Sequence, residues 1–483
     1  MGGWQARGPS PSCASAPKSL KAASRRCSSR SLDRRSLRAL FSLEWRELAA
    51  SRSWWLLLAL TGLLVGQAFV TAVETYAEVS GVAGGPAALA QGLSPLDGLV
   101  VPTLGAYALV VTFLLPFVAI RLVATERESG AAKLLAQAPP GLAWRLAAKA
   151  GVLLLGWLVA FLPALFALLL WHGYGGHLGW GETANVVLGH LLHALLTIGV
   201  AVAAAAVCRS SASAAIVTLG FTVGTWALAF VAEGREGLLA RLAPFTPEAA
   251  LRSFERGELR LAVVAIVLLA SLAGFAFAGL WLDPFRSLAS RLVRSGALVL
   301  LAVGGAALAS SWRAGWDLSE DRRSSFPRAD EAALRRIAQP VRVTVYLAPE
   351  DPKRTDLETN VLTKLRRVVP DLAVTYRARS RSGLFDAESR YGEIWYAVGP
   401  RRALLRSTTE PIVLAKLYEL AGVAPPAATA EAPYPGYPLA ASPRGAAILF
   451  YAAWPLAAGL AFAASRGRWR SSCRKLIGSP PSL

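Results

Sequence analysis

Residues 261–282 read LAVVAIVLLASLAGFAFAGLWL, an apolar run without one Asp, Glu, Lys or Arg. A hydrocarbon core of about 30 Å takes about 20 apolar helical residues to cross, and a backbone in lipid must satisfy its own hydrogen bonds. The run therefore reads as a membrane-spanning helix. Working outward, seven more stretches share its character: 54–73, 99–120, 150–170, 185–207, 213–231, 295–312 and 445–464. A polar block, 313–444, separates the last two. The expected fold is an α-helical polytopic membrane protein of about eight spans, with a small extracytoplasmic α/β domain between spans seven and eight.

The chain is 54% hydrophobic and 17% charged, with a formal net charge of +20. In a soluble protein that excess would suggest nucleic acid, but here its position decides. Arg25, Arg26, Arg30, Arg34, Arg35, Arg38, Arg46 and Arg52 precede the first span, and Arg466, Arg468, Arg470, Arg474 and Lys475 follow the last. Basic residues gather on the cytoplasmic side of membrane helices. Both termini are therefore expected inside, with anionic membrane lipid rather than nucleic acid as the partner of this charge.

The loops agree. Loops 74–98 and 171–184 contain no Lys or Arg and read as outside; 121–149, with Arg121, Arg127, Lys133, Arg145 and Lys149, and 283–294, with Arg286, Arg291 and Arg294, read as inside. Loop 232–260 should be outside, yet carries Arg235, Arg241, Arg252, Arg256 and Arg260. The same alternation makes 313–444 extracytoplasmic in a chain of the cytoplasmic (cell inner) membrane. Cys13, Cys27, Cys208 and Cys473 all fall on the inner side, so no disulfide framework is implied. Residues 1–35 form a basic tail without the apolar core of a secretory signal. A disordered tail or an over-extended gene start fits its composition better than a transit peptide.

Before the first span, Leu37, Leu40, Phe41, Trp45 and Leu48 recur at helical spacing, opposed by Arg38, Ser42 and Glu47. An amphipathic helix of this kind can lie in the membrane interface. Between spans two and three, Thr125 and Glu128 have the spacing of a capping box, which predicts a short charged helix starting there and projecting into the cytoplasm.

The run Glu126-Arg127-Glu128-Ser129-Gly130, followed by Lys133-Leu134-Leu135 and Pro139, resembles the inner-loop signature of type-2 ABC export permeases. The resemblance implies that Thr125, Glu126, Arg127, Glu128, Ser129, Gly130, Lys133, Leu134 and Leu135 form the coupling helix that docks on an ATPase subunit. Leu43-Glu44-Trp45-Arg46-Glu47-Leu48 resembles the family's interfacial elbow helix, with Arg38, Phe41, Trp45, Arg46 and Glu47 as its marker residues. The layout of 36–282 fits a six-span permease unit. In that family the counterpart of 232–260 forms short re-entrant half-helices outside. Ala131, where Thr is frequent, and Lys133, where an acid is frequent, depart from the pattern.

The block 313–422 follows another grammar. Val341, Val343, Val345 and Leu347 alternate with polar residues and read as a strand; Thr355 and Glu358 read as a capping box. Leu372, Val374 and Tyr376 alternate again, Ile394-Trp395-Tyr396 forms an aromatic run, and Pro411 opens a helix closed by Gly422. Strand–helix–strand order predicts a small α/β sandwich with a mixed sheet. Residues 423–444 read as a Pro/Ala-rich linker into the eighth span (445–464), with 465–483 as a basic cytoplasmic tail; 283–312 carries the seventh span. Trp316-Asp317-Leu318-Ser319-Glu320-Asp321-Arg322 and Pro340-Val341-Arg342-Val343-Thr344-Val345-Tyr346-Leu347 are similar to the auxiliary component of gliding-motility-type ABC transporters. That likeness implies a permease fused to a shortened auxiliary domain.

The dipeptide Gly-Lys does not occur, which excludes a Walker-type phosphate loop. ATP and Mg are thus expected on a separate ATPase subunit, with no cofactor bound by this chain. Residues 313–444 contain no His or Cys, so a Ser–His–Asp or Cys–His centre cannot lie within them; Glu320 and Asp321 read as a solvated turn. The span interiors carry no Asp, Glu, Lys or Arg, which argues against a proton-driven carrier. His172, His177, His190 and His193 lie close in sequence and have the residue type for Zn or Cu. Interfacial placement and helix-to-helix hydrogen bonding explain them more simply, and no metal is expected. The function implied is the permease subunit of an ATP-driven exporter, paired with itself or a second permease and not itself an enzyme. The alternative is an envelope scaffold whose outer domain grips a surface partner.

Overall fold

All eight apolar stretches are helical in the computed structural model, which describes residues 38–83, 93–130, 141–232, 238–349, 351–378, 390–426 and 434–476. Residues 38–50 form α1. The candidate spans α2 (Arg52–Ala83), α3 (Leu96–Glu128), α4 (Leu142–Gly173), α5 (Trp180–Val207) and α6 (Ser211–Ala232) follow. Two short helices, α7 (Leu238–Leu242) and α8 (Pro247–Glu255), and the strand β1 (Glu258–Arg260) lead to the spans α9 (Leu261–Leu282) and α10 (Leu288–Ser310). A small sheet-containing region comes next in the C-terminal part, and the last candidate span is Arg444–Ser465.

The helices outrun the apolar cores that announce them. At a rise of 1.5 Å per residue, α3 is about 50 Å long, well beyond the ~30 Å that a hydrocarbon core requires. Pro163 withholds a backbone donor, and α4 is accordingly interrupted at Phe161. Between α5 and α9 the backbones touch: a Cβ on Gly274 would stand 2.8 Å from the Gly199 carbonyl oxygen. Glycines let helices approach closely where lipid offers no hydrophobic drive between them. By contrast, α10 leaves most of its apolar surface uncovered, Leu292, Val293, Leu300, Leu301 and Leu308 among it.

Loop 232–260, where described, holds α7 and α8. Thr246 caps α8 by accepting from the Ala249 amide at 3.2 Å, with Pro247 at the first helical position. The strand β1 pairs antiparallel with β2 (Gly315–Asp317), which follows α10, so Trp316 lies opposite Leu259.

The remaining elements are α11 (Arg328–Leu334), β3 (Val341–Val345), α12 (Pro352–Leu357, continued by Glu358–Leu362 and Thr363–Val368), β4 (Leu372–Tyr376), β5 (Ile394–Val398), β6 (Arg401–Leu405), α13 (Glu410–Ala421) and α14 (Arg444–Ser465). The sheet runs β4-β3-β5-β6, with β3 parallel to β4 and the other pairs antiparallel. Val341, Val343 and Val345 point into a core shared with Leu362, Tyr396 and Leu417. The capping box read at Thr355 and Glu358 is corrected: both lie inside α12, which Asp351 caps from before Pro352 by accepting the Lys353 amide at 3.0 Å. A Pro suits the first turn, where its missing N–H has no partner to lose. Thr409 precedes α13, and Gly422 closes it at φ +68°.

The supposed linker before α14 is tied down where it is described. The Tyr437 amide donates to the Leu93 carbonyl at 3.1 Å and the Leu439 amide to Ser80 Oγ at 2.9 Å. Farther along, α14 lies on α2: Trp454 Nε1 donates to the Leu58 carbonyl at 2.9 Å, and the Trp454 and Phe450 side chains fill space that Gly62 and Gly66 leave open.

Candidate functional site

The C-terminal end of α3 lies at the opposite end of the bundle from the sheet region, because α3 begins beside Arg323 and runs its full length away from it. Nothing between Ile120 and Thr125 interrupts a helix, so α3 continues through Glu128, and the predicted capping box at Thr125 and Glu128 is not formed. Thr125 sits within the helix, its hydroxyl donating to the Arg121 carbonyl at 2.7 Å. That back-bond is the usual choice of a helical Thr. Ser129 ends α3 and donates to the Thr125 carbonyl at 2.7 Å, and Gly130 turns the chain at φ +74°. Lys133, Leu134 and Leu135 lie outside the described residues.

The three charges before that turn are engaged within the chain rather than projecting freely. Glu126 Oε1 is 2.9 Å from Lys149 Nζ, whose ammonium also meets Glu44 Oε2 at 2.7 Å and donates to the Leu122 carbonyl at 3.0 Å. The side chains of Lys149 and Glu44 are 5% and 2% exposed. Two carboxylates around one buried ammonium carry a net negative charge if both ionise. Burial, opposed by Lys149, pushes the Glu44 carboxyl up to about 7. At neutral pH Glu44 can hold its proton part of the time, bringing the trio to neutrality.

Arg127 reaches the end of α5, where Nη1 donates to the carbonyls of Ala205, Ala206 and Cys208 at 2.6, 2.8 and 2.7 Å. The last carbonyls of a helix have no partners of their own and carry the negative end of its dipole, so a guanidinium satisfies both. Glu128 does the reverse at the start of α6, accepting from the Ser211 amide at 3.1 Å. Consecutive residues thus close one helix and open the next, across the turn at 208–210. The result is a knot joining α1, α3, α4, α5 and α6.

Of the elbow residues, Arg38, Phe41, Arg46 and Glu47 are exposed on α1, and Trp45 packs edge-on to Trp54 at 5.9 Å. The inward face is carried by Leu48 and Glu44. Glu44 and Lys149 are not among the marker residues of the sequence motifs, and their signal is a charge on an apolar stripe: Glu44 falls on that of Leu40 and Leu48, and Lys149 on that of Val152 and Leu153.

The four histidines do not converge. Among the described residues no group of three or more His, Cys, Asp or Glu is placed to hold a metal. His193 Nε2 pairs with Thr112 Oγ1 at 2.8 Å, His190 lies edge-on to the Tyr107 ring at 6.0 Å, and His172 is exposed. His177 belongs to a clasp on the sheet side: its ring stacks on Tyr437 at 3.7 Å and its Nε2 meets Glu320 Oε2 at 2.8 Å. Glu320 and Asp321 lie in a surface turn, as expected, but their carboxylates are paired there. The Glu320 amide donates to Glu182 at 3.1 Å, and Arg323 bridges Asp321 and Asp97 at 2.8 and 2.5 Å. The segment after β2 is fastened to the starts of α3 and α5.

No curated protein and no solved structure matches the chain. Residues 38–256 match the family model described as ABC-2 family transporter protein. That stretch contains every residue of the knot, is similar to the membrane domain of ABC transporters, and supports a multi-pass permease subunit.

Proposed function

We propose that the chain is the permease subunit of an ATP-binding-cassette exporter, moving a substrate across the cytoplasmic membrane on ATP hydrolysed by separate ATPase subunits. The observation that carries this reading is the knot. The Glu126-Arg127-Glu128 run, whose sequence resembles an ATPase-docking segment, holds the ends of α5 and α6 and grips α1 and α4 through Lys149. A push on the turn after Glu128 is therefore delivered to five helices together. Packed, hydrogen-bonded helix ends shift as a unit rather than deform, as alternating access requires.

On this reading ATP and Mg reside on the ATPase, and the permease pairs with itself or a second permease. Both termini and the knot face the cytoplasm. The sheet region lies outside between spans seven and eight, as a gliding-motility-type auxiliary domain clasped to the permease by His177–Glu320 and Arg323–Asp97. The test is proximity. Ser129 is exposed beside the knot, so a Ser129→Cys variant should form a crosslink to an ABC ATPase subunit, with a yield that changes with bound nucleotide. An envelope scaffold would give no such crosslink at Ser129.

A further inference from the structure

A cavity of about 560 Å³ opens where the sheet region meets the bundle. One wall is apolar and belongs to the spans: Ala262, Val263, Ile266, Val267 and Ala270 on α9, with Leu196 on α5. From Ala262 to Ala270 that wall runs about 12 Å down the helix. The rim is basic. Arg256 comes from the turn after α8, Arg260 from β1, Arg313 from the segment after α10, and Arg366 and Arg367 from α12. Among the described lining residues Glu258 is the one acid, and it is occupied by Arg260 at 2.5 Å. Arg313 and Arg367 donate to the carbonyls of Pro370 and Ser324, which carry no charge to offset theirs. Trp312 and Trp316 stand half-exposed at the same level, where indoles mark the edge of a bilayer.

Each half of this arrangement constrains the ligand. A free anion has no use for two turns of apolar helix, and a neutral lipid has none for the four guanidinium groups left after Arg260 pairs with Glu258. Guanidinium forks suit phosphate and carboxylate groups, often through two parallel hydrogen bonds. We propose that the cavity binds an anionic amphiphile, its phosphate or carboxylate headgroup held by the arginine rim and its acyl chain lying along α9. The proposal needs only that α9 lies in a membrane. It stands whether or not the chain docks on an ATPase, and neither Ser129 nor the knot enters its test.

The full chain, purified in a neutral detergent, is titrated with phosphatidylglycerol, with phosphatidylcholine of the same acyl chains, and with inorganic phosphate, and the bound species are read by native mass spectrometry. Phosphatidylglycerol should be retained and phosphatidylcholine should not. Arg256 and Arg366 are exposed, so the double variant Arg256→Gln/Arg366→Gln should fold and bind phosphatidylglycerol about thirtyfold more weakly. Val263→Trp, which fills the slot without touching charge, should also weaken binding, and Arg366→Lys should retain most of it. Arg342→Gln, at an exposed arginine outside the cavity, should behave as wild type. Equal retention of the two lipids, or an unchanged affinity in the double variant, would overturn the proposal. Displacement of phosphatidylglycerol by millimolar inorganic phosphate would also overturn it, by making the site one for free anions.

Discussion

Replacing Lys149 with Met removes the cation that Glu44 and Glu126 share. The ammonium makes contacts at 2.7, 2.9 and 3.0 Å, and its side chain is 5% exposed, so water cannot replace what is lost. Removing one partner of a buried ion pair costs about 3–5 kcal/mol. Proton uptake by Glu44, whose carboxyl is already pushed up to about 7, relieves part of that cost and places Lys149→Met near the lower end. Glu44→Gln should behave differently. It keeps an oxygen for the ammonium and removes a charge that is partly neutralised already, so the loss should be within about 1 kcal/mol. The assay is unfolding of the detergent-purified chain followed by tryptophan fluorescence. The order of midpoints should be wild type, then Glu44→Gln close behind, then Lys149→Met well below. A Lys149→Met midpoint equal to wild type, or a Glu44→Gln loss as large as that of Lys149→Met, would refute this account of the knot.

The same carboxyl predicts a pH dependence. Because folding raises Glu44 from 4.5 to about 7, the folded state holds the extra proton. Glu44 should therefore contribute about 3 kcal/mol of stability that is lost as pH rises between these values; unfolding midpoints of Glu44→Gln should fall less steeply than those of wild type, which keeps that share beside the part due to Glu182. Arg127→Leu strips three carbonyls at the end of α5 of their donor and should cost about 2–3 kcal/mol, with Arg127→Lys recovering only part, in the same unfolding assay. Reversing both Glu126 and Glu128 to Lys should lower stability even without any partner, since one faces Lys149 and the other the start of α6; an unfolding midpoint unchanged from wild type would show that neither contact matters. A Cys replacing Arg377 should label from outside intact cells and Ser129→Cys should not; the reverse pattern would invert the orientation.

The spans were legible because lipid imposes one requirement, a long apolar helix, that composition alone can reveal. The strand at Val341, Val343 and Val345 was legible for a similar reason: alternation survives wherever one face is buried. Local signals failed where a longer element overrode them. Thr125 and Glu128 have the spacing of a cap, but no Gly or Pro breaks the chain between Phe117 and Glu128, and α3 runs straight through them. At Asp351 the cap was present, four residues before the one inferred from Thr355. Contacts distant in sequence could not be read at all. Glu320 and Asp321 look like a solvated pair until folding brings His177 and Arg323 to them. The charges of the 126–128 run were visible as a motif, but that they are paired within the chain depends on Lys149, Ala205, Cys208 and Ser211, far along it.

The central claim is that this chain couples to ATP hydrolysis without performing it. The most direct measurement is the ATPase activity of the complex, purified through a tag on this chain and then separated into its polypeptides. The account predicts that an ABC ATPase subunit copurifies in fixed proportion, that hydrolysis follows it, and that the isolated chain turns over no ATP. ATP turnover by the chain freed of every other polypeptide, or a native complex without any ATPase subunit, would contradict it.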